Sequence, residues 1–121
     1  MFNWQRLRHS LRYARQGLRY IWQHEQNFRI QVSFAGLVLL AMVILRVQIW
    51  QAIVLGMLIM FVLVLEIANT IFETLIDFLK PRLHSYVQVI KDMMAAAVLL
   101  AAVGSAIIGL MIFVPYLVNM L

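Results

Sequence analysis

Apolar residues recur along this chain in three long runs and one amphipathic stretch, and their spacing predicts a helix for each. Between Trp4 and Trp22, Arg8, Arg12, Arg15 and Arg19 follow one another at intervals of 4, 3 and 4, while Leu7, Leu11, Ala14, Leu18 and Ile21 mark the neighbouring apolar face. This pattern predicts a helix lying in the headgroup layer of a bilayer over residues 1–28, with arginines on lipid phosphate and tryptophans anchoring its ends. The run Ile30 to Leu45 has 16 residues. It nears the roughly 20 that cross a bilayer when extended through Phe28 and through Val47 to Trp50, so a first membrane helix is expected over about 30–48. Ile49 to Leu65 carries no charge and continues as the acid-bearing segment Glu66 to Leu79 until Pro81 stops it, which predicts a second helix over 49–79. Met93 to Leu121 is uncharged and predicts a third over about 91–120. The expected fold class is an all-α membrane protein with a single domain, an amphipathic surface helix plus three transmembrane helices.

Polar residues inside these runs carry the functional signal. Glu66, Asn69, Glu73 and Asp77 fall within an arc of about 80° on one helical face. A carboxylate at a membrane-helix centre costs roughly 2.5 to 3.5 kcal/mol on insertion scales, so three aligned acids predict a face that binds something cationic.

Composition narrows the class further. At 64% hydrophobic and 12% charged residues, with mean hydropathy +0.90, the chain is too apolar for a soluble domain of this size. Cysteine is absent, which excludes disulfides, thiolate nucleophiles and thiolate-bound metals and leaves oxygen or imidazole ligands. The small core of one such chain predicts self-association. The first apolar run follows a long basic stretch and ends without a small-residue cleavage pattern, so the amino terminus is expected to persist in the mature protein. All ten basic residues except Arg46 flank one side of the spans: the arginines at 6, 8, 12, 15, 19 and 29, with Lys80, Arg82 and Lys91. The positive-inside rule then puts the amino terminus and the Lys80 to Lys91 connection in the cytoplasm. Every acid gathers on that side, Glu25 before the first span, Glu66 to Asp77 ending the second, and Asp92 beside Lys91 opening the third. Anionic headgroups account for the isoelectric point of about 10.3 better than nucleic acid does.

Carboxylates completed by waters and substrate phosphates describe a magnesium site of the nucleotide type, with Lys91 and arginines available to phosphate. No Gly-x-x-x-x-Gly-Lys-Ser/Thr loop, Gly-x-Ser-x-Gly elbow, zinc helix or dinucleotide fingerprint is present, so any nucleotide chemistry is not of the P-loop kind.

The run Glu66-Ile67-Ala68-Asn69-Thr70-Ile71-Phe72-Glu73, followed by Asp77, His84 and Lys91-Asp92-Met93, resembles the signature of the small prokaryotic diacylglycerol kinase and undecaprenol kinase family. Arg6, Tyr13, Gly17-Leu18-Arg19 and Glu25 with Phe28-Arg29 fall at that family's spacings, so the resemblance covers nearly the whole chain. It implies a homotrimeric kinase of the bacterial plasma membrane that uses magnesium and ATP, with active sites between neighbours at the cytoplasmic interface. It also implies that Glu66 is the catalytic base, that Glu25 and Glu73 are metal-binding carboxylates, and that Arg6, Tyr13, Lys91 and Asp92 contact the nucleotide. Asn69 matches an essential polar position. Asp77 and His84 match as supporting residues, Asp77 on the nucleotide side, and Arg19 and Arg29 match on the lipid side. The acceptor expected is a membrane lipid alcohol. Asn27-Phe28-Arg29-Ile30 and the Ala-rich third span ending in Ile112-Phe113-Val114-Pro115 look more like the undecaprenol kinase branch. Ala14 and Ala95, where the diacylglycerol branch has polar residues, point the same way.

From the residues alone, Lys91 reads better as a lysine marking the end of a span, His84 as a solvated loop residue, and the small residues around Ala95, Ala101 and Gly104 as packing devices. Two rival classes stay open at this point. An ion or proton conductor also carries intramembrane acids, although conduction predicts acids spread across the bilayer. A non-catalytic assembly subunit predicts that Glu66→Gln changes assembly more than turnover.

Overall fold

The computed structural model describes residues 1–79 and 85–121, and the described residues fold into four α-helices in chain order. Lys80, Arg82, His84 and the expected stop at Pro81 lie outside the described residues. The first helix, α1, is Trp4–His24. Asn3 caps it in the extended conformation, its side-chain oxygen accepting from the Gln5 N–H at 3.0 Å and the Arg6 N–H at 3.3 Å. Such a cap contributes on the order of 1 kcal/mol. Ile21 is the one buried residue of α1.

The helix expected to run to residue 28 ends earlier. Glu25 takes an extended backbone (φ −116°, ψ 107°) and α2 begins at once, spanning Gln26–Leu45. A single residue thus separates two helices. The Glu25 N–H still closes α1 on the Ile21 carbonyl at 2.9 Å, while its carboxylate makes no cap hydrogen bond to α2. Arg29 also joins the two, donating to the Trp22 carbonyl. Ile21 and Phe28, the buried residues on either side of the break, pin it against the protein.

α2 ends at Leu45, three residues short of the expectation, because Arg46 turns left-handed (φ 52°, ψ 53°). The Val47 N–H then reaches back to the Met42 carbonyl at 3.3 Å. This is a helix terminus of the kind glycine usually makes. α3 is Ile49–Leu79, coinciding with the acid-bearing run. α4 is Val87–Met120, starting a turn before the expected residue 91, because the Ile90 N–H bonds the Tyr86 carbonyl at 3.0 Å and begins the helix there.

α2, α3 and α4 are each long and apolar enough to cross a membrane. α3 packs against both α4 and α2, and α1 packs on α2. The buried apolar core is small: Ile21, Phe28, Leu55, Ile76, Val87 and Ile112. Most large apolar side chains face outward, among them Phe34, Leu40, Met57, Phe61, Leu100 and Leu110. A water-exposed surface of this kind is not tolerated in a soluble monomer, whereas hydrocarbon solvates it without cost. The protein is a membrane protein.

At the end of the bundle away from the acids, the Tyr116 hydroxyl of α4 donates to Gln51 Oε1 of α3, which also accepts the Gln48 N–H at 3.1 Å. The Trp50 indole N–H donates to Gln48 Oε1 at 2.6 Å. Interhelical hydrogen bonds in membranes average about 0.6 kcal/mol. Tyr116→Phe is therefore expected to lower the unfolding midpoint in detergent by about 3 °C, measured by thermal scanning, with helix content unchanged.

Candidate functional site

A helical period places the polar residues of α3 on one stripe, and burial along that stripe falls with distance from its deepest member. Glu66 is buried to 1% exposure, Asn69 to 9%, and Thr70 to 6%. Glu73 is half-buried and Asp77 exposed. The stripe therefore runs from the interior of the bundle out to its surface in three turns.

Every polar atom taken into lipid needs a partner. Thr70 and Thr74 satisfy themselves, their hydroxyls donating to the Glu66 carbonyl at 3.1 Å and the Thr70 carbonyl at 2.8 Å. Asn69 Nδ2 donates to Glu73 Oε1 at 3.4 Å. Asn69 thus orients the outer carboxylate. The inner one is held from α2, where Gln31 Nε2 donates to Glu66 Oε2 at 3.3 Å. Three buried acceptor atoms remain without a hydrogen-bond partner among the described residues: Gln31 Oε1, Glu66 Oε1 and Asn69 Oδ1.

Gln31 is absent from the expectations drawn from the sequence. A single polar residue one position inside an apolar run has no periodic companion to mark it, and only the packing of α2 on α3 reveals its partner.

The break at Glu25 contributes a third acid. Glu25 and Glu73 both lie within Coulombic range of the Glu66 carboxylate. Glu66 is thus repelled by an acid of the α1–α2 junction and by one two turns along α3. Among the described residues no group of three or more acidic or imidazole side chains is gathered tightly enough to chelate a metal unaided. Magnesium does not require such a cage, since it keeps several waters and takes one or two carboxylates together with substrate phosphates. Hard oxygen donors, mutual repulsion among the acids and an unpartnered Glu66 oxygen are the chemistry that a magnesium-phosphate group takes, and Glu25 and Glu73 are carboxylates that could hold one.

Lys91 reaches across from α4 to pair with Asp77 at 2.8 Å, and Glu73 also lies within its Coulombic range. Its neighbour in sequence points elsewhere. Asp92 is exposed and accepts from Gln88 Nε2 at 2.8 Å. Because both sit in the second turn of α4 and not at its start, a 100° step separates their directions.

Arg6, Tyr13 and Arg19 are exposed on α1, Tyr13 with its ring stacked on His9. Among the described residues no hydrogen bond or ion pair joins any of the three to an acid. Arg29 is half-buried and engaged with the Trp22 carbonyl. One chain therefore pairs Gln31 with Glu66, Asn69 with Glu73 and Lys91 with Asp77, sets Glu25 within Coulombic range of Glu66, and joins Arg6, Tyr13, Arg19 and Asp92 to none of these acids among the described residues.

Comparison with known proteins gives a consistent picture. The prokaryotic diacylglycerol kinase family profile matches residues 12–113. A diacylglycerol kinase of Synechocystis sp. is 32% identical over 113 residues, 93% of this chain and 65% of that protein. An undecaprenol kinase of Bacillus subtilis is 34% identical over 93 residues, 77% of this chain and 76% of that protein. The chain thus spans somewhat under two thirds of the Synechocystis relative. No solved structure matches it significantly.

The Lys91–Asp77 pair is 31% and 59% exposed at its two side chains. A pair this wet contributes little, because solvent screens it. A double-mutant cycle of Lys91→Met and Asp77→Asn, read by thermal unfolding, is expected to give near-additive losses, with a small coupling that shrinks further as salt is raised.

Proposed function

Because the chain belongs to the prokaryotic diacylglycerol kinase family, we propose that it is an ATP-dependent lipid kinase. In this reading it transfers the γ-phosphate of Mg-ATP to the hydroxyl of a membrane lipid alcohol. The observation that carries it is Glu66, a carboxylate fully buried in an apolar bundle with one oxygen unpartnered and two further acids beside it.

The chemistry asks little covalent work of the protein. The acceptor hydroxyl oxygen forms a bond to the γ-phosphorus as the bond from that phosphorus to the β,γ-bridging oxygen breaks, and ADP leaves. The hydroxyl proton passes to the Glu66 carboxylate, whose depth in the bundle matches an alcohol anchored in hydrocarbon. Glu25 and Glu73 would hold magnesium, which would supply charge neutralisation at the phosphate oxygens. Asn69 fixes Glu73 through its amide donor. Lys91 exchanges its weak pairing with Asp77 for phosphate, and Asp77 remains to orient it. Arg6, Tyr13 and Asp92 complete the nucleotide contacts, and Arg19 and Arg29 face the lipid headgroups.

The separation of Arg6, Tyr13 and Asp92 from the acids of the same chain supports a site completed by a neighbour. So does the outward-facing apolar surface. We place the enzyme as a homotrimer in the bacterial plasma membrane, its amino terminus and active site cytoplasmic and α1 lying in the headgroup layer. Acids confined to one end of the bundle argue against the conductor reading, which needs them along a path.

Undecaprenol is the favoured acceptor, on the residues around Asn27 to Ile30 and on the apolar Ala14 and Ala95. Diacylglycerol is the alternative. The test is transfer of labelled γ-phosphate from Mg-ATP to each lipid in mixed micelles. Product from undecaprenol is expected, and Glu66→Gln is expected to reduce turnover by roughly 10²- to 10⁴-fold without changing the detergent-solubilised mass. Absence of product with both lipids from folded protein overturns the kinase reading.

A further inference from the structure

Two features of the bundle meet at Gln31. One is the hydrogen bond from its amide to Glu66 Oε2, with its own Oε1 left buried and unpartnered. The other is a groove of about 510 Å³ between α2, α3 and α4, lined by apolar side chains such as Phe34, Leu55, Leu63, Ala106 and Phe113. Gln31 is at one end of that lining, and apart from Ser105 it is the groove's polar residue. Along α4 the lining runs from Ala102 to Phe113, about 16 Å by helical rise, or half the roughly 30 Å hydrocarbon core. Its volume falls in the range of about 300 to 1,000 Å³ typical of small-molecule sites.

We propose that Gln31 is a positioning residue of the kinase site: it holds one oxygen of Glu66 so that the other faces the acceptor hydroxyl, and the groove it heads carries the part of the acceptor's hydrocarbon chain nearest that hydroxyl. The inference rests on the lipid-kinase reading.

The argument is one of donors and acceptors. An ionised carboxylate accepts only, and the surrounding buried oxygens of Gln31 and Asn69 also accept only, so a rotating Glu66 finds no second donor among the described residues. With the Gln31 amide on Oε2, the remaining oxygen Oε1 is the one left to receive a proton. An alcohol is what an apolar groove headed by Gln31, the residue that holds Glu66, selects, since its hydroxyl supplies the missing donor and its chain replaces nothing but lipid. Proton transfer then proceeds from the hydroxyl to Glu66 Oε1, as its oxygen bonds the γ-phosphorus and ADP departs.

A residue acting through Glu66 changes kcat and leaves the nucleotide alone. Gln31→Met keeps the length of the side chain and removes the amide, and Gln31→His restores an N–H donor. In the micelle assay Gln31→Met is expected to lower kcat by roughly 10- to 150-fold, the value of a hydrogen bond to a charged group. KM for Mg-ATP should stay within about twofold, and Gln31→His should recover most of the loss. Ala102→Leu, which fills the groove, is expected to raise KM for the lipid several-fold at constant KM for Mg-ATP. Wild-type kcat in Gln31→Met, or an equal loss in the methionine and histidine variants, overturns the positioning role while wild-type turnover leaves the kinase reading standing. Unchanged lipid KM in Ala102→Leu with an altered detergent-solubilised mass assigns the groove to a second copy of the chain and overturns that half of the proposal. No turnover in the wild type overturns the kinase reading and this inference together.

Discussion

A carboxylate kept out of water is the constraint around which this bundle is arranged. Glu66 lies at 1% exposure between helices that offer almost nothing but hydrocarbon, and an acid so placed is stable only if its lone pairs and its charge are answered from within the protein or by a ligand. α2 answers one oxygen through Gln31. The threonines beside it spend their hydroxyls on carbonyls of their own helix and offer it none. Nearby Glu25 and Glu73 add repulsion. What remains unanswered within the described chain is a demand for positive charge and for a proton donor, and a magnesium nucleotide with an alcohol meets both.

Much of this was legible before any coordinates. The three spans follow from run length, and the acid-bearing face follows from the spacing of Glu66, Asn69, Glu73 and Asp77, because a helical period is a property of sequence alone. Other features are set by contacts that sequence does not encode locally. Glu25 breaks the chain between α1 and α2 with no glycine or proline to announce it, and Arg46 closes α2 in a left-handed conformation that glycine usually supplies. Asn69 could have oriented either neighbouring acid, and the packed helix directs it to Glu73. Lys91 is adjacent to Asp92 in sequence and meets Asp77 in space, since an α-helix sends successive residues 100° apart. Gln31 illustrates the general case: its importance comes from the helix opposite.

The energetics of the rest follow from lipid as solvent. Only a handful of side chains are buried, so little of the single chain's cohesion comes from an apolar core. In hydrocarbon no penalty attaches to the outward Leu, Met and Phe side chains, and association relies on close packing and on polar contacts between helices. The two ends of the bundle divide that work. Gln48, Trp50, Gln51 and Tyr116 tie α3 to α4 and to the preceding turn at one end, and Lys91 with Asp77 ties them loosely at the other. The end with Gln51 and Tyr116 carries no acid; the end with Asp77 and Lys91 carries them all.

The one-residue junction at Glu25 gives α1 a mechanical character. A helix of 21 residues is a rod about 31 Å long, and the torsions of Glu25 set its direction relative to α2. Displacing its tip at Trp4 by about 5 Å turns the joint by only about 9° on that lever arm. The residue that turns is the one bearing a carboxylate beside Glu66. A difference in where the far end of α1 lies is thereby geared down, at its root, to a small rotation of a single acid.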